Sequence, residues 1–312
     1  MERPSYGPIR ESSSSPGPSS PDRRFSTQDL ELVFHYTMYT SLGLATSKSD
    51  EELWQLIVPE RAFSNNFLLY GLLSISALHL AYLRPSKAEF YRNIGVQHYN
   101  SAKGFLKPVL QGFGSGNTEY VASFVPLIAS ISFAMLRDSP STETDYLEVV
   151  LANFRSLRAV KESLQNIWPS LETDPVGLFC FMDTGNTADF TGANIEAALE
   201  ALEWRVQTVV ELKHLRIMYL GALHYLRHCL QHKVQVLIWP LLVSDNFFQA
   251  MTEREPAAVA ILCLYGTLLH MLETLWWVGD TGSHIEMGAS KILPPEWKNS
   301  MRWARTQFSL PK

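Results

Sequence analysis

Three histidines, His224, His228 and His232, recur at intervals of four residues in one segment with helical periodicity. In a helix this spacing places the three imidazoles on one face, and imidazole is a common zinc ligand. A metal site also needs a closing ligand and groups that hold the imidazoles in place, but no carboxylate lies close in sequence. The apolar residues of this segment face roughly the opposite way. We therefore predict a polar, solvent-facing surface here and no metal site.

A G-x-G-x-G pattern is formed by Gly112, Gly114 and Gly116. It follows a predicted helix and not a strand, and it lacks the spacing of a dinucleotide-binding or phosphate-binding loop. We interpret it as a turn between helices. The sequence contains no G-x-S-x-G, H-E-x-x-H or C-x-x-C motif, so it predicts no catalytic residue and no cofactor.

Small polar residues lie inside otherwise apolar segments: Ser74, Ser76, His79, Ser130 and Ser132. Their hydroxyls can bond to backbone carbonyls of the same helix, which is the more common arrangement for any single residue. They can also be the few polar anchors of a mostly apolar pocket. Trp276 and Trp277 and the length of the apolar segments favour a cavity, and both interpretations remain open.

The elements that must position these residues are three apolar stretches, residues 67–83, 120–136 and 256–272, each without Lys, Arg, Asp or Glu. A membrane span needs about 20 predominantly apolar residues, and basic loops that would orient a span are missing here. Helices that are apolar on all sides also form the centre of large helical proteins. We predict three buried helices and no membrane span, with the third helix extending to Trp277.

The rest of the chain is helical in pattern, and we predict an all-α fold with one large domain over residues 27–308. Ser26 or Thr27 is positioned to cap the first helix. Residues 51–58 are predicted to form a short helix that stops at Pro59. Residues 238–251 should form two short helices joined near Ser244. Residues 279–288 are predicted to form a glycine-rich loop, and residues 234–239 are the one stretch where a strand remains an alternative to helix.

The composition narrows the class of protein. The 312 residues are 46% hydrophobic and carry a net charge of −5, which excludes a large basic nucleic-acid surface. Fourteen of the first 24 residues are Pro, Ser or Gly, so residues 1–26 are predicted to be a disordered tail or linker. The cysteines are too few and too far apart for a disulfide framework, and they are expected to be buried thiols in a reducing compartment: Cys180, Cys229 and Cys263.

Three blocks of sequence carry a resemblance: residues 30–44, residues 53–110 and residues 238–282. The most specific pieces are V-P-x-x-A-F at 58–63, L-L-x-x-S-A-L-H-L-A at 72–81, W-P-x-x-V-S at 239–244, and L-L-H-x-L-x-x-L-W-W at 268–277. Together they resemble the C-terminal regulatory domain of fungal zinc-cluster transcription factors of the sterol uptake control type. The resemblance covers about residues 28–305, and residues 140–235 match only as helical sequence.

The resemblance implies a regulatory domain that senses a sterol-like or other apolar small molecule, in the nucleus, the cytoplasm or both. It implies a pocket between helices 65–84 and 256–277, next to a switch loop that contains Gly279, Gly282 and Gly288. The ligand-contacting residues that it implies are Phe67, Tyr70, Ser74, Ala77, Tyr265, Leu269, Leu272 and Trp276. Its implied protein partners are a second copy of the chain or a full-length transcription factor.

One departure from the family pattern matters. Such factors carry a six-cysteine zinc cluster followed by a Pro/Ser-rich linker, whereas this chain has three widely spaced cysteines. We therefore expect no direct nucleic-acid binding from this chain. The missing cluster indicates either a truncated factor or a stand-alone regulatory domain. An alternative of a different class is an enzyme of secondary metabolism, such as a cyclase, in which an apolar pocket folds the substrate and one His or Ser acts as acid or anchor.

Overall fold

The computed structural model describes residues 25–45, 51–111, 118–137, 146–164, 195–230, 233–301 and 306. Their secondary structure is helical throughout, which confirms the all-α prediction. The predicted tail up to residue 24, Cys180, His232 and the G-x-G-x-G turn lie outside the described residues. The α-helices are α1 (Thr27–His35), α2 (Ser41–Leu44), α3 (Val58–Phe63), α4 (Asn66–Leu83), α5 (Ala88–Gln111), α6 (Thr118–Arg137), α7 (Tyr146–Leu164), α8 (Ile195–Val209), α9 (Lys213–Cys229), α10 (Lys233–Leu242), α11 (Asp245–Thr252), α12 (Pro256–His270), α13 (Thr281–Ile292) and α14 (Pro295–Lys298).

The first helix begins at a capping box, as its sequence predicts. The Asp29 N–H donates to Ser26 Oγ at 3.1 Å, and the Ser26 N–H donates to Asp29 Oδ2 at 2.9 Å. A π-helical turn (Tyr36–Thr40) continues α1 into α2. The buried Tyr36 hydroxyl donates to Trp54 O at 3.0 Å, which holds this N-terminal arm against the segment that leads into α3.

Three local predictions are wrong. Helix does not stop at Pro59, because a π-helical turn (Leu53–Ile57) places this proline in the first turn of α3, where its missing N–H costs no hydrogen bond. The strand that the sequence left open at residues 234–239 is not formed, because these residues belong to α10. Residues 281–288, predicted as loop, belong to α13, and the third buried helix ends at His270 instead of Trp277.

The three apolar segments form buried helices, as predicted. Every residue of 67–81 in α4 and of 257–269 in α12 is buried. By length and composition alone, Asn66–Leu83 and Glu119–Arg137 could each cross a membrane, but 83% of each is buried inside the fold. A core helix of a large helical domain has this burial, and no membrane span is evident in the described part of the chain.

Two other predictions are confirmed. His224 and His228 are exposed on α9, as a polar helix face requires. The two short helices α10 and α11 meet at Ser244, which caps α11 by accepting from the Phe247 N–H at 3.2 Å. This corner is held from α7 by the buried guanidinium of Arg158, which donates to Pro240 O at 2.7 Å and Val243 O at 2.8 Å.

Candidate functional site

The eight residues implied as ligand contacts fall into two groups on different helices. The α4 group is buried and faces α5 and α6. The Phe67 ring meets the edge of Phe124 at 5.3 Å between centroids. The Tyr70 ring stacks on Phe105 at 5.4 Å. The Ser74 hydroxyl donates to Gly95 O on α5 at 2.8 Å, and Ala77 is fully buried on the same helix.

The α12 group lies in a second aromatic region, which we call the Tyr265 cluster and define as Tyr265, Trp239 and Phe154. The Tyr265 ring stacks on Trp239 at 4.5 Å and meets Phe154 edge-on at 6.0 Å. The Trp239 indole N–H donates to Ala222 O at 3.2 Å, so its polar atom is satisfied. The Tyr265 hydroxyl is fully buried and has no hydrogen-bond partner.

This orphaned hydroxyl is the most informative polar atom of the α12 group. Burial raises the pKa of Tyr265 well above its ordinary value, so the phenol is neutral and able to donate. A buried polar group without a partner costs about 1–3 kcal/mol. Leu269, also fully buried, lies one helical turn further along α12. The arrangement is a fully buried aromatic cluster with one unpaired hydrogen-bonding group.

Trp276 connects the two groups, although it follows α12 instead of belonging to it. We define the Trp276 junction as Trp276, His79, Tyr82 and Arg137. The Trp276 ring stacks on His79 at 4.4 Å and lies 5.9 Å from the Tyr82 ring. Arg137 Nη1 donates to Trp276 O at 2.7 Å, and its guanidinium lies 4.7 Å from the Tyr82 ring centroid. Leu272, the last implied contact, is buried in the same turn segment.

Two neutral histidines line the N-terminal side of this junction. Burial lowers the pKa of His79 to about 4, with smaller contributions from His35 and Arg137. Burial, helped by Arg84, likewise lowers the pKa of His35 to about 4. His79 Nδ1 lies 3.0 Å from Thr40 Oγ1, and the two imidazole centroids are 5.1 Å apart. The His35 Nε2 and Trp276 Nε1 atoms are buried without a hydrogen-bond partner.

The structure does not place the two groups of implied contacts on facing helices. Helix α4 packs chiefly on α5 and α6, whereas α12 packs chiefly on α13. The connection between them runs through the Trp276 junction. His35, Thr40, Tyr82 and Arg137 were not singled out from the sequence, because their partners lie far along the chain. The one local signal in the sequence was the position of His79 within an apolar stretch, residues 67–83.

The glycines implied as a switch loop lie at close contacts between elements. A Cβ on Gly282 would lie 2.3 Å from both Gly266 O and His270 N, so α12 and α13 touch backbone to backbone. A Cβ on Gly288 would lie 2.9 Å from Leu147 Cγ on α7. Only Gly279 sits in the turn itself, with φ of +51°, where an L side chain is strained. These residues permit close packing, and the prediction that all three lie in a loop is wrong.

The buried serines follow the first interpretation, hydrogen bonding within the same helix, only in part. The Ser130 hydroxyl donates to Pro126 O of its own helix at 3.1 Å. By contrast, Ser74 donates to α5, and Ser76 donates to Leu32 O of α1 at 2.7 Å. These two hydroxyls therefore form hydrogen bonds between helices. Among the implied contacts, this leaves Tyr265 as the hydroxyl that has no partner.

Side chains suited to metal binding or nucleophilic chemistry are poorly placed for it in the described part of the chain. No group of three His, Cys, Asp or Glu residues there could hold a metal ion. Cys229 and Cys263 are buried. Burial raises the pKa of the Cys229 thiol, which keeps it protonated and a weak nucleophile.

The known proteins that this chain resembles are fungal regulatory proteins. Residues 31–170 match the model of the fungal specific transcription factor domain. A Zn(2)-C6 fungal-type transcription factor of Gibberella zeae is 24% identical over 297 residues, which cover 88% of this chain and 60% of that protein. Sterol uptake control protein 2 of Candida albicans is 23% identical over 287 residues, or 85% of this chain and 39% of that protein.

A third relative is the Zn(2)-C6 fungal-type transcription factor afumD of Aspergillus fumigatus, 25% identical over 78% of this chain and 68% of that protein. The chain thus spans only part of the length of the relatives that it matches. Residues 31–170 thus match the fungal specific transcription factor domain, and most of the chain is similar to zinc-cluster transcription factors of fungi.

Proposed function

We propose that this chain is a ligand-sensing regulatory domain of a fungal transcription regulator and that its ligand is a sterol-like or other apolar small molecule. The observation that carries the proposal is the fully buried Tyr265 hydroxyl, which has no partner within an aromatic cluster. Two relatives named sterol uptake control protein 2, from Candida albicans and Saccharomyces cerevisiae, support the ligand class.

A ligand of this kind is mostly hydrocarbon and carries one hydroxyl or carbonyl group. Its hydrocarbon body would pack against the aromatic faces of the Tyr265 cluster and against Leu269. Its polar group would pair with the Tyr265 hydroxyl and so remove the cost of leaving that hydroxyl unpaired. Burial of a few hundred Å² of apolar ligand surface stabilises the bound state by several kcal/mol, at about 25 cal/mol per Å².

Ligand binding at α12 would be transmitted through the contact between α12 and α13. Because the backbones of Gly266 and Gly282 are in direct contact, the two helices cannot move closer together. A displacement of α12 therefore moves α13, and it also moves the turn that carries Trp276. The ligand shifts this equilibrium only if it binds one arrangement better than the other. A second copy of the chain or a full-length transcription factor, in the nucleus or cytoplasm, would bind one of the two arrangements of α13 in preference to the other.

Native mass spectrometry of the full chain purified from a fungal host tests the proposal. We expect one apolar molecule per chain, identifiable after solvent extraction, and rebinding of sterols to the emptied protein measured by tryptophan fluorescence. A chain that carries nothing and ignores a panel of sterols and fatty acids would overturn the proposal. A bound molecule that is released chemically changed would overturn it in favour of an enzyme.

The Tyr265→Phe variant tests the role of the orphaned hydroxyl. The change removes one oxygen and leaves the ring stack intact, so the variant should fold. We expect the sterol dissociation constant to rise about tenfold, the equivalent of about 1.4 kcal/mol for one hydrogen bond. Tyr225→Phe, at an exposed position on α9, is the matched control and should bind as the wild type does. Equal affinity in both variants would place the ligand elsewhere.

A further inference from the structure

An exposed apolar stripe runs along the N-terminal arm, opposite its buried face. We define the α1 stripe as Leu30, Phe34, Met38 and Leu42, which are 61%, 61%, 48% and 46% exposed. Neighbours in the same helices, such as Leu32, Tyr36 and Leu44, are buried against the core. The arm therefore presents two apolar faces, one to the core and one to solvent.

The π-helical turn keeps the stripe on one side of the arm. Spacing of four residues drifts around an α-helix with 3.6 residues per turn. In the turn, the Ser41 N–H donates to Tyr36 O, five residues back, which slows the rotation. Met38 and Leu42 consequently stay on the side set by Leu30 and Phe34.

The α1 stripe is exposed, and most of the segment that carries it is uncharged. Residues 32–45 contain no Asp, Glu, Lys or Arg, and the imidazole in this stretch, that of His35, is buried and neutral. Charged groups flank Leu30 at one end of the stripe, where Glu31 pairs with Arg84 at 3.0 Å and Asp29 lies 3.2 Å from His98 Nε2. Surface helices that bind lipid membranes carry Lys and Arg beside their apolar face. A partner for this surface must be equally apolar and uncharged.

We propose that the α1 stripe is the dimer interface of this protein, occupied by the same stripe of a second copy. In an antiparallel two-fold pair, Leu30 lies opposite Leu42 of the partner subunit and Phe34 lies opposite Met38 of the partner subunit. The spacing is symmetric about residue 36, so the surface is complementary to itself. A two-fold interface requires this property.

The area of the stripe fits a weak dimer. Tyr39, which is 54% exposed, adds to the apolar surface of the stripe. A whole aromatic side chain has an area of about 150–250 Å². With the exposed fractions given above, the five side chains together expose roughly 500 Å² per chain. Two copies would bury about 1,000 Å², at the lower limit for a specific interface. Apolar patches of this size on soluble proteins are often functional. The interface is independent of the proposed ligand and needs none to form.

Analytical ultracentrifugation of the full chain tests the interface. Over a concentration series, we expect a mass that rises from 35.3 kDa to twice that value. Phe34→Glu should raise the dimer dissociation constant about thirtyfold or more, as loss of a central contact does. Ile217→Glu, at a position on α9 that is also 61% exposed, is the matched control and should dimerise as the wild type does.

A mixing experiment tests the two-fold register. Phe34→Glu and Met38→Lys should each be monomeric, while their equimolar mixture should regain the dimer mass because the new charges face each other. Circular dichroism should match the wild type in all variants, since both positions are exposed. A wild-type chain that stays monomeric, or an unaffected Phe34→Glu dimer, would overturn the proposal. Monomers that bind phosphatidylcholine–phosphatidylserine vesicles through Phe34 would overturn it in favour of a membrane.

Discussion

Gly282→Ala is the sharpest single test of the contact between α12 and α13. The new methyl group would lie 2.3 Å from Gly266 O and from His270 N, and 2.9 Å from His270 Cα. All three are backbone atoms of α12, so no side-chain rotation can relieve the clash. The substitution must therefore push α13 away from α12 or bend one of the helices.

The expected cost is the difference between two effects. Overpacking a close contact costs about 1–3 kcal/mol, and contact with rigid backbone puts this site at the upper end of that range. Alanine in place of glycine within a helix returns about 0.5–1 kcal/mol. We expect a net loss of about 2 kcal/mol, which lowers Tm by about 3–4 °C in a domain of this size, at about 2.1 cal/mol/K of unfolding entropy per residue.

Thermal unfolding followed by circular dichroism gives the measurement, with Gly221→Ala as the matched control. Gly221 also lies in a helix, α9, but a Cβ there would meet nothing within 4 Å. The control should be stabilised by about 1 kcal/mol at most. A Gly282→Ala protein with wild-type Tm would refute the close packing of these helices. The variant should also bind ligand differently if α13 carries the switch.

Three further predictions concern the buried polar groups. Arg158→Met leaves the Pro240 and Val243 carbonyls without their donor, so unfolding by urea should show a loss of about 3 kcal/mol; exposed Arg155→Met should change little, and equal losses in the two variants would refute the role of these hydrogen bonds. His35 and His79 have pKa values of about 4 against an ordinary 6.5, so the unfolded chain binds more protons between these values. Stability should be complete above pH 6.5 and fall as the pH drops towards 4; a flat profile of unfolding free energy would contradict this. Trp276→Ala removes the stack on His79 and should cost about 3 kcal/mol, whereas a wild-type urea midpoint would show that the junction carries no stability.

Local sequence determined most of the helices. The Ser26–Asp29 capping box defined the start of α1 because both groups lie within one turn. Apolar runs without charge identified α4 and α12, because burial on all sides leaves no polar stripe. The same pattern is shared by a core helix and a membrane span, and burial of these helices inside the fold decided between them. Glycine content predicted a loop at 279–288, yet Gly282 and Gly288 lie in α13 and permit close contacts between helices.

Only the tertiary structure decided which chemistry-bearing residues meet. Resemblance to a family named Tyr265 and Trp276, but their partners Trp239 and His79 lie 26 and 197 residues away in sequence, and no local pattern specifies such pairs. Hydrogen bonding was equally non-local, since whether Ser74 bonds within its own helix or to Gly95 depends on how closely α5 approaches. Sequence periodicity defines the faces of a helix, whereas the packing of all helices together decides which face meets which, and which polar atom is left without a partner.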